Sequence, residues 1–315
     1  MSLATLAAGL FETPVTGIAR ALIADDPMID FATPAGEPAV TSPGSMSWQV
    51  FRNPLTMFIG GVAAVLLELG EPRVRTGVWA HSSFRDQPAR RLRRTGMAAM
   101  VTVYGARSRF EAVAVRVRRM HGNVAGHTPG GEAYRADDPE LLRWVQGTAA
   151  FAFLAAYRTY VRPVSLPARD RYYAEGAVGS VLYGAVDAPA SEAAVTAMLA
   201  AMHPRLESSP ILDELVAILR AAPILPPLLR GIQHSVIRAA VDLLPQAERS
   251  RLQLARHGGL RPGEAALLRA TALTLDRFAL RSSPSAQACV RLGLPYDYLV
   301  RTRHRPMMDG VEAGG

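Results

Sequence analysis

The sequence contains no lysine, so all 35 of its basic residues are arginines. Without lysine the chain cannot form the phosphate loop of nucleoside triphosphatases, the phosphate-pairing contact of protein kinases or the Schiff base of pyridoxal enzymes. Arginine stays protonated in proteins, so it cannot act as a general base. Proton transfer and metal binding must therefore depend on other side chains.

Cysteine and long apolar runs are also scarce. The single cysteine, Cys289, excludes a disulfide within the chain and a zinc site built from cysteines. The longest apolar stretches, Met57–Leu67 and Gly147–Tyr157, each span eleven residues, whereas a transmembrane helix needs about twenty. The first twenty residues lack the cationic start of a secretory signal. We expect a cytoplasmic protein and leave peripheral contact with a membrane surface open.

The formal net charge of +8 invites an anionic partner. The arginines are nevertheless spread along the whole chain, and the one dense cluster, at 90–94, has no recurring aromatic neighbours for stacking on bases. No helix-turn-helix or zinc-finger spacing is visible. We therefore expect no nucleic-acid partner, and the sequence leaves the oligomeric state open.

What the chain does have is alanine, a 49% share of hydrophobic residues, and proline at the start of many helical patterns. These features predict an all-α fold, a single globular domain of about ten helices. We divide the chain into an irregular N-terminal segment with short helices (1–50), a helical domain (51–300) and a flexible tail (301–315). The predicted helices are Ala4–Leu10, Thr16–Ile23, Pro54–Leu69, Pro72–Phe84, Pro88–Tyr104, Phe110–His121, Pro139–Tyr160, Pro167–Glu175, Ser191–Met202, Pro210–Ala221, Pro226–Leu244, Gln246–His257, Pro262–Arg281 and Ser285–Leu292.

One stretch is ambiguous, because the valines of Phe110–His121 alternate as in a strand while its alanines and arginines favour helix. We choose helix, since Gly122 follows as a stop signal. A glycine-rich loop is expected over Gly122–Gly131. It follows no predicted strand, so a dinucleotide-binding fingerprint is not indicated.

Polar residues on apolar helices are the candidates for chemistry. None of the seven histidines forms the metalloprotease pattern, and no Gly-x-Ser-x-Gly nucleophile motif occurs. Arg91, Arg94 and Thr95 lie three to four residues apart on one helix face, and Arg118 and His121 share a face in the same way.

The order of these residues resembles the catalytic domain of the MpaB-like and rubber oxygenase (latex-clearing protein) family. The resemblance runs from about Pro54 to Leu254. It rests on the segments LGEPRVRTGVWAHSSF at 69–84, RLRRT at 91–95, RRMHGNVAG at 118–126, YRADDPELLRWV at 134–145 and RYYAE at 171–175.

The resemblance implies a non-covalent haem b, with His121 as the protein ligand of the iron. It matches Arg118 to an arginine beside that histidine, and Arg91 and Thr95 to residues of the oxygen chemistry. Arginines such as Arg94 can pair with the haem propionates.

Two further residues join the candidate site on the same basis. His81 becomes a candidate haem-pocket residue, and Glu71 a candidate base near the substrate. Because a helix C-terminus stabilises positive charge, we expect iron binding at His121 to compete with protonation.

The chain departs from the family pattern at three positions. Arg94 stands where rubber oxygenases can use a lysine as a second iron ligand, so we expect a sixth iron site that is open or water-bound. Gln146 and Glu71 stand where family members often carry histidines.

The sequence thus predicts a haem-b-dependent oxygenase that uses dioxygen on a small apolar substrate, for which an olefin such as a terpenoid or polyprenyl chain is the class implied by resemblance. The missing histidines motivate an alternative, a helical protein that binds haem or a lipophile without catalysis. A basic protein that binds anionic surfaces ranks last.

Overall fold

The computed structural model describes residues 30–225 and 227–302, apart from the side chain of residue 228. The predicted helices Ala4–Leu10 and Thr16–Ile23 lie outside this part, as does the predicted tail after residue 302. The described part contains fourteen α-helices: α1 (Met46–Val50), α2 (Pro54–Glu68), α3 (Pro72–His81), α4 (Pro88–Tyr104), α5 (Arg107–Gly122), α6 (Pro139–Tyr160), α7 (Leu166–Leu182), α8 (Glu192–Met202), α9 (Pro210–Ala221), α10 (Gln233–Leu243), α11 (Gln246–Arg251), α12 (Glu264–Asp276), α13 (Pro284–Arg291) and α14 (Tyr298–Thr302).

The predicted all-α class is confirmed, with one small exception. The expected glycine-rich loop holds an antiparallel hairpin of β1 (Ala125–His127) and β2 (Ala133–Arg135), in which Gly126 pairs with Tyr134. The ambiguous stretch Phe110–His121 lies within α5 and is helical, as predicted.

Proline-led helices begin where the local chemistry predicts. Asn53 accepts hydrogen bonds from the amides of Leu55 and Thr56 just before Pro54, and Asp138 caps α6 in the same way. These side chains satisfy amides that have no partner inside the helix. Helices α6 and α9, the latter capped by Ser209, have the predicted bounds for this reason. Helix α4 has its predicted bounds without a side-chain cap.

Other predicted helices differ from the structure. The prediction of a single helix over Pro226–Leu244 is wrong, because a separate 3-10 helix at Pro227–Ile232 precedes α10. The predicted helix Gln246–His257 is interrupted by Gln253, whose φ of 56° is left-handed, and ends as a 3-10 helix at Leu254–His257. Helix α7 runs seven residues beyond the predicted end at Glu175, to Leu182.

The core is centred on α2 and α6, which pack against each other along their lengths. Helix α10 also packs against α2. Gly60 permits the close approach of α2 and α6, because a Cβ there would lie 2.8 Å from a ring carbon of Phe153. Cys289 is buried, as a small core residue would be.

None of the described helices is by itself both long and apolar enough to cross a membrane. Taken together, α2 and α3 meet that test by length and composition, but the chain bends by 112° between them.

Candidate functional site

The candidate site is a cavity of about 450 Å³ enclosed mainly by α2, α3, α4, α6, α7 and the β-hairpin. Its volume lies in the range typical of small-molecule and cofactor sites. Most of its wall is apolar, and a few polar side chains project into it. A cavity of this composition suits an apolar ligand that is oriented by a small number of polar contacts.

The cavity is elongated along two helices. Wall residues run from Arg91 to Val103 on α4 and from Leu141 to Phe153 on α6, and at 1.5 Å per residue each set covers about 18 Å. The two exposed wall residues, His81 and Thr95, are at the Arg91 end. That end is therefore the mouth of the cavity.

The structure brings four of the seven predicted site residues to this mouth. His81 from α3, Arg91 and Thr95 from α4, and His121 from α5 all line the cavity. The other three do not line it. Arg94 and Arg118 are exposed on the same helices as Arg91 and His121, and Glu71 is fully buried at the start of α3.

Arg91 and Thr95 form a tight pair within α4. The guanidinium of Arg91 donates a hydrogen bond to the Thr95 hydroxyl, and that hydroxyl donates its own hydrogen to the Arg91 carbonyl at 3.0 Å. The guanidinium also lies over the ring of Phe84, 5.4 Å from the ring centre. The only hydrogen of the Thr95 hydroxyl is thereby used, so Thr95 orients Arg91, whose remaining N–H groups are the donors available to a ligand.

His121 is the imidazole in the cavity wall. Its buried Nδ1 has no hydrogen-bond partner among the described residues. Burial, and then the charge of Arg91, lower the pKa of His121, and Asp137 offsets this only partly. We expected the helix end to favour the cation, but burial outweighs it, and the neutral form that can bind a metal is favoured.

Glu68, the last residue of α2, is the acid that lines the cavity beside Arg91. Burial raises its pKa to about 7, and the charge of Arg91 lowers it only in part. A carboxyl group with this pKa can both give and accept a proton near neutral pH. Glu68 shares a helix face with Gly61, Ala64 and Val65, which also line the cavity.

Glu71 has a structural role just outside the cavity. Its carboxylate caps α3 by accepting from the Val74 amide at 2.8 Å and pairs with Arg73 at 2.7 Å. Arg73 in turn contacts Glu140 at 2.6 Å. With these partners Glu71 is not free to act on a ligand in the cavity, and Glu68 is the glutamate in position to do so.

Two more contacts join polar residues of the cavity wall. The hydroxyl of Tyr134, on β2, lies 3.4 Å from Nε2 of His81 and joins the hairpin to α3. Deeper in the cavity, Gln146 is within 3.4 Å of the Ser180 hydroxyl. Sequence reasoning missed Tyr134 and Ser180 as site residues.

Comparison with known proteins identifies the chain's relatives. The sequence model of the family described as "ER-bound oxygenase mpaB/B'/Rubber oxygenase, catalytic domain" matches residues 48–277. The chain belongs to this family. The match confirms the resemblance and indicates an oxygenase catalytic domain, for which a small-molecule substrate and dioxygen are the expected partners. No curated protein and no solved structure matches the chain.

The donor set of this oxygenase domain can be compared with the needs of a haem. Within the described residues, no group of three or more His, Cys, Asp or Glu side chains could hold a metal ion. A haem iron needs only one strong protein nitrogen, because the macrocycle supplies its in-plane ligands. His121, neutral and without a protein partner at Nδ1, fits that need.

Glu68 stands out in the sequence by one signal, although the sequence does not assign it a role. It is the only charged residue in α2, and it follows Ala64 and Val65 at helical spacing, so it lies on their face. A lone acid on an apolar face is a candidate for a perturbed pKa. Tyr134 and Ser180 carry no comparable signal.

Proposed function

We propose that this chain is a haem-b-dependent oxygenase with His121 as the proximal iron ligand. The observation that carries the proposal is the neutral imidazole of His121 in the wall of a largely apolar cavity, with a buried nitrogen that has no partner among the described residues. Membership of an oxygenase family supports the reaction class.

Arginines near the mouth would help to hold the cofactor. Arg94 and Arg118 are exposed beside the cavity, where haem carboxylates could reach both them and water. His81, bonded to Tyr134, would border the cofactor on the side of α3. Activation of dioxygen is the chemistry that a bound haem would supply.

The residues of this chain would orient the reactants and move protons. Arg91, held by Thr95 and Phe84, presents N–H donors that can stabilise developing negative charge in a site where water is scarce. Glu68 would accept or return a proton at its carboxyl group, because its pKa lies near neutral. We assign to Glu68 the role that the sequence suggested for Glu71.

The substrate we propose is apolar and olefinic. The apolar wall supports a hydrocarbon substrate, since each buried apolar contact adds binding free energy without a directional bond. The olefin is proposed from family membership, one member of which is named as a rubber oxygenase. A cytoplasmic location and the lack of a nucleic-acid partner complete the proposal, with peripheral membrane contact left open.

A second candidate is a helical protein that binds haem or a lipophile without turnover. Two observations favour it. Glu71 is engaged with Arg73 and the Val74 amide. Gln146, which cannot transfer a proton at neutral pH, stands in the wall at a position where the family pattern often has histidine. Both candidates are compatible with haem binding, and they differ in dioxygen consumption.

An absorption spectrum after haem reconstitution tests the assignment. We expect a Soret band in the wild type and its loss, or a large fall in haem affinity, in His121→Ala. The matched control is His127→Ala, since His127 is exposed on β1 and does not line the cavity.

No Soret band in the wild type, or equal haem content in the two variants, would contradict the proposal. Dioxygen uptake with a panel of olefins then separates catalysis from binding alone. Haem binding without uptake across that panel would favour the second candidate.

A further inference from the structure

The end of the cavity opposite the mouth is lined by apolar residues. We call it the inner arm and define it by Phe51, Gly61, Ala64, Val103, Ala150 and Phe153, all of which line the cavity. Each of these side chains or glycines is buried or half-buried. The inner arm thus lies away from the exposed mouth residues.

The packing of α2 against α6 shows which end of the cavity is the mouth and which is the inner arm. Glu68 and Gly61 both line the cavity from α2, seven residues apart, or about 10 Å. The Trp144 indole donates to the Glu68 carbonyl at 3.4 Å, whereas the α2 backbone at Gly60 lies against Phe153. Helices α2 and α6 are therefore antiparallel, and Phe153 is remote from Glu68.

An aromatic pair stands at the far end of the inner arm. The rings of Phe51 and Phe153 are tilted against each other with their centres 4.9 Å apart. The Phe153 ring is backed by Gly60, where even a Cβ would collide with it. With no space behind it on the α2 side, the Phe153 ring acts as a firm end wall.

The carboxylate of Glu175, which lines the cavity, is already satisfied by groups of the protein. Glu175 accepts hydrogen bonds from the amides of Met46 and Ser47 and from the Ser47 hydroxyl. A ligand entering here gains little from polar groups and much from burying hydrocarbon.

We infer that the inner arm receives the hydrocarbon chain of the substrate end-on, and that Phe153 limits the length of chain that fits. This inference deepens the proposed function by naming an elongated chain, inserted by one end, as the substrate shape. The reacting part of the chain would remain at the mouth, beside Arg91 and Glu68. Phe153 is in this view a specificity-determining residue that sets the distance from the chain end to the reacting carbon.

The inference predicts a length limit in binding. Each methylene buried in the arm should tighten binding by about fourfold, and methylenes beyond Phe153 should add little. The test uses straight-chain primary alcohols from decyl to octadecyl, which displace anilinonaphthalene sulfonate from the protein as purified. We expect affinity to rise with length and then level off in the wild type.

Three variants locate the limit. Phe153→Ala should move the plateau to chains longer by at least two methylenes, and Ala150→Phe, one turn nearer the mouth, should move it to shorter ones. Phe151→Ala is the matched control, because Phe151 is half-buried on the same helix but does not line the cavity. The affinity of Phe151→Ala should level off at the same chain length as that of the wild type.

Each outcome bears on the inference. No displacement by any alcohol, affinity that rises without a plateau, or equal plateaus in Phe153→Ala and Phe151→Ala would overturn it. If Phe153→Ala does not fold, as judged by its thermal melt, Ala150→Phe still decides the question. Haem binding is measured separately, from the Soret band. If the protein shows a limit on alcohol length but binds no haem, only the proposed function is contradicted. If it binds haem but shows no length limit, only this inference is contradicted.

Discussion

Two arginines of the cavity wall, the buried Arg73 and the half-buried Arg91, differ in how their charge is compensated. Arg73 is hydrogen-bonded to Glu71 and Glu140. A third carboxylate, that of Glu132, has its Oε1 3.6 Å from Nε of Arg73. Burial lowers its pKa, but the hydrogen bonds to Glu140 and Glu71 outweigh this and raise it. The charge of Arg73 is thus fully used within the protein.

Arg91 is compensated much less. Its hydrogen bond goes to the neutral hydroxyl of Thr95. Burial lowers its pKa, Glu68 offsets this only in part, and Arg94 lowers it further. A guanidinium that keeps unsatisfied donors in a cavity is costly for folding and useful for binding. The difference separates an arginine that stabilises the fold from one available to a ligand.

The largest expected effect is on stability, from Arg73→Met. Removing Arg73 leaves the carboxylate of Glu71, which is 0% exposed, without its main partner. Breaking a buried ion pair from one side costs about 3–5 kcal/mol. Urea denaturation should therefore show a loss in the free energy of unfolding of about 3 kcal/mol, since the Val74 amide still binds Glu71.

Arg205→Met is the control for this prediction. Arg205 contacts Glu132 and Glu140 in the same cluster and lies 3.8 Å from Glu71, but its side chain is 37% exposed. Such exposed pairs contribute at most about 1 kcal/mol. Equal losses in the two variants would show that burial of Glu71 is not what makes Arg73 important.

Arg91→Met should affect activity strongly and stability little, the opposite of Arg73→Met. The free energy of unfolding should change by no more than about 1 kcal/mol, because no carboxylate is left without its hydrogen-bonded partner. Under the proposed function, the rate of dioxygen consumption by the haem-loaded protein should fall by about 10²–10³, the usual cost of losing one donor to developing charge.

Arg90→Met is the matched control for Arg91. Arg90 is the neighbouring residue of α4, is exposed and donates to Gln87 at 3.0 Å. Oxygen electrodes should record wild-type rates for it. A similar loss in both variants would point to general positive charge instead of a directed donor, and a stability loss in Arg91→Met would remove the contrast with Arg73.

Much of the fold could be predicted from local chemistry. Helices that open with proline have the predicted bounds, both at Pro88–Tyr104, which has no side-chain cap, and at Pro139–Tyr160, which Asp138 caps. Proline fixes the start of a helix within one turn. The interruption at Gln253 was missed because its left-handed backbone is rare outside glycine and leaves no sign in the pattern of apolar residues.

The candidate site was predictable only in part. Motif order placed His81, Arg91, Thr95 and His121 in one site, and all four line the cavity. The choice between Glu68 and Glu71 could not be made from spacing. The chain bends by 112° between α2 and α3, so Glu68 faces the cavity while Glu71, three residues later, caps the next helix.

Glu68→Gln has an effect that depends on pH, and it tests whether the Arg91 side of the cavity is poorly compensated. The folded protein holds a proton on Glu68 up to a pH of about 7, against an ordinary value of 4.5. The folded state therefore binds more protons than the unfolded chain between these values, and the stability of the wild type must fall as pH rises through this window.

The neutral glutamine cannot lose a proton, so the variant should escape that fall. Urea denaturation of the protein without haem should give nearly equal free energies of unfolding at pH 5. By pH 8 the variant should be the more stable protein, by about 3 kcal/mol at most, the full value of the pKa shift. Glu111→Gln, on the exposed face of α5, should show no such pH-dependent difference. If Glu68→Gln also shows none, then Arg91 compensates Glu68 fully, and the two arginines are alike in the way that matters most for the proposed site.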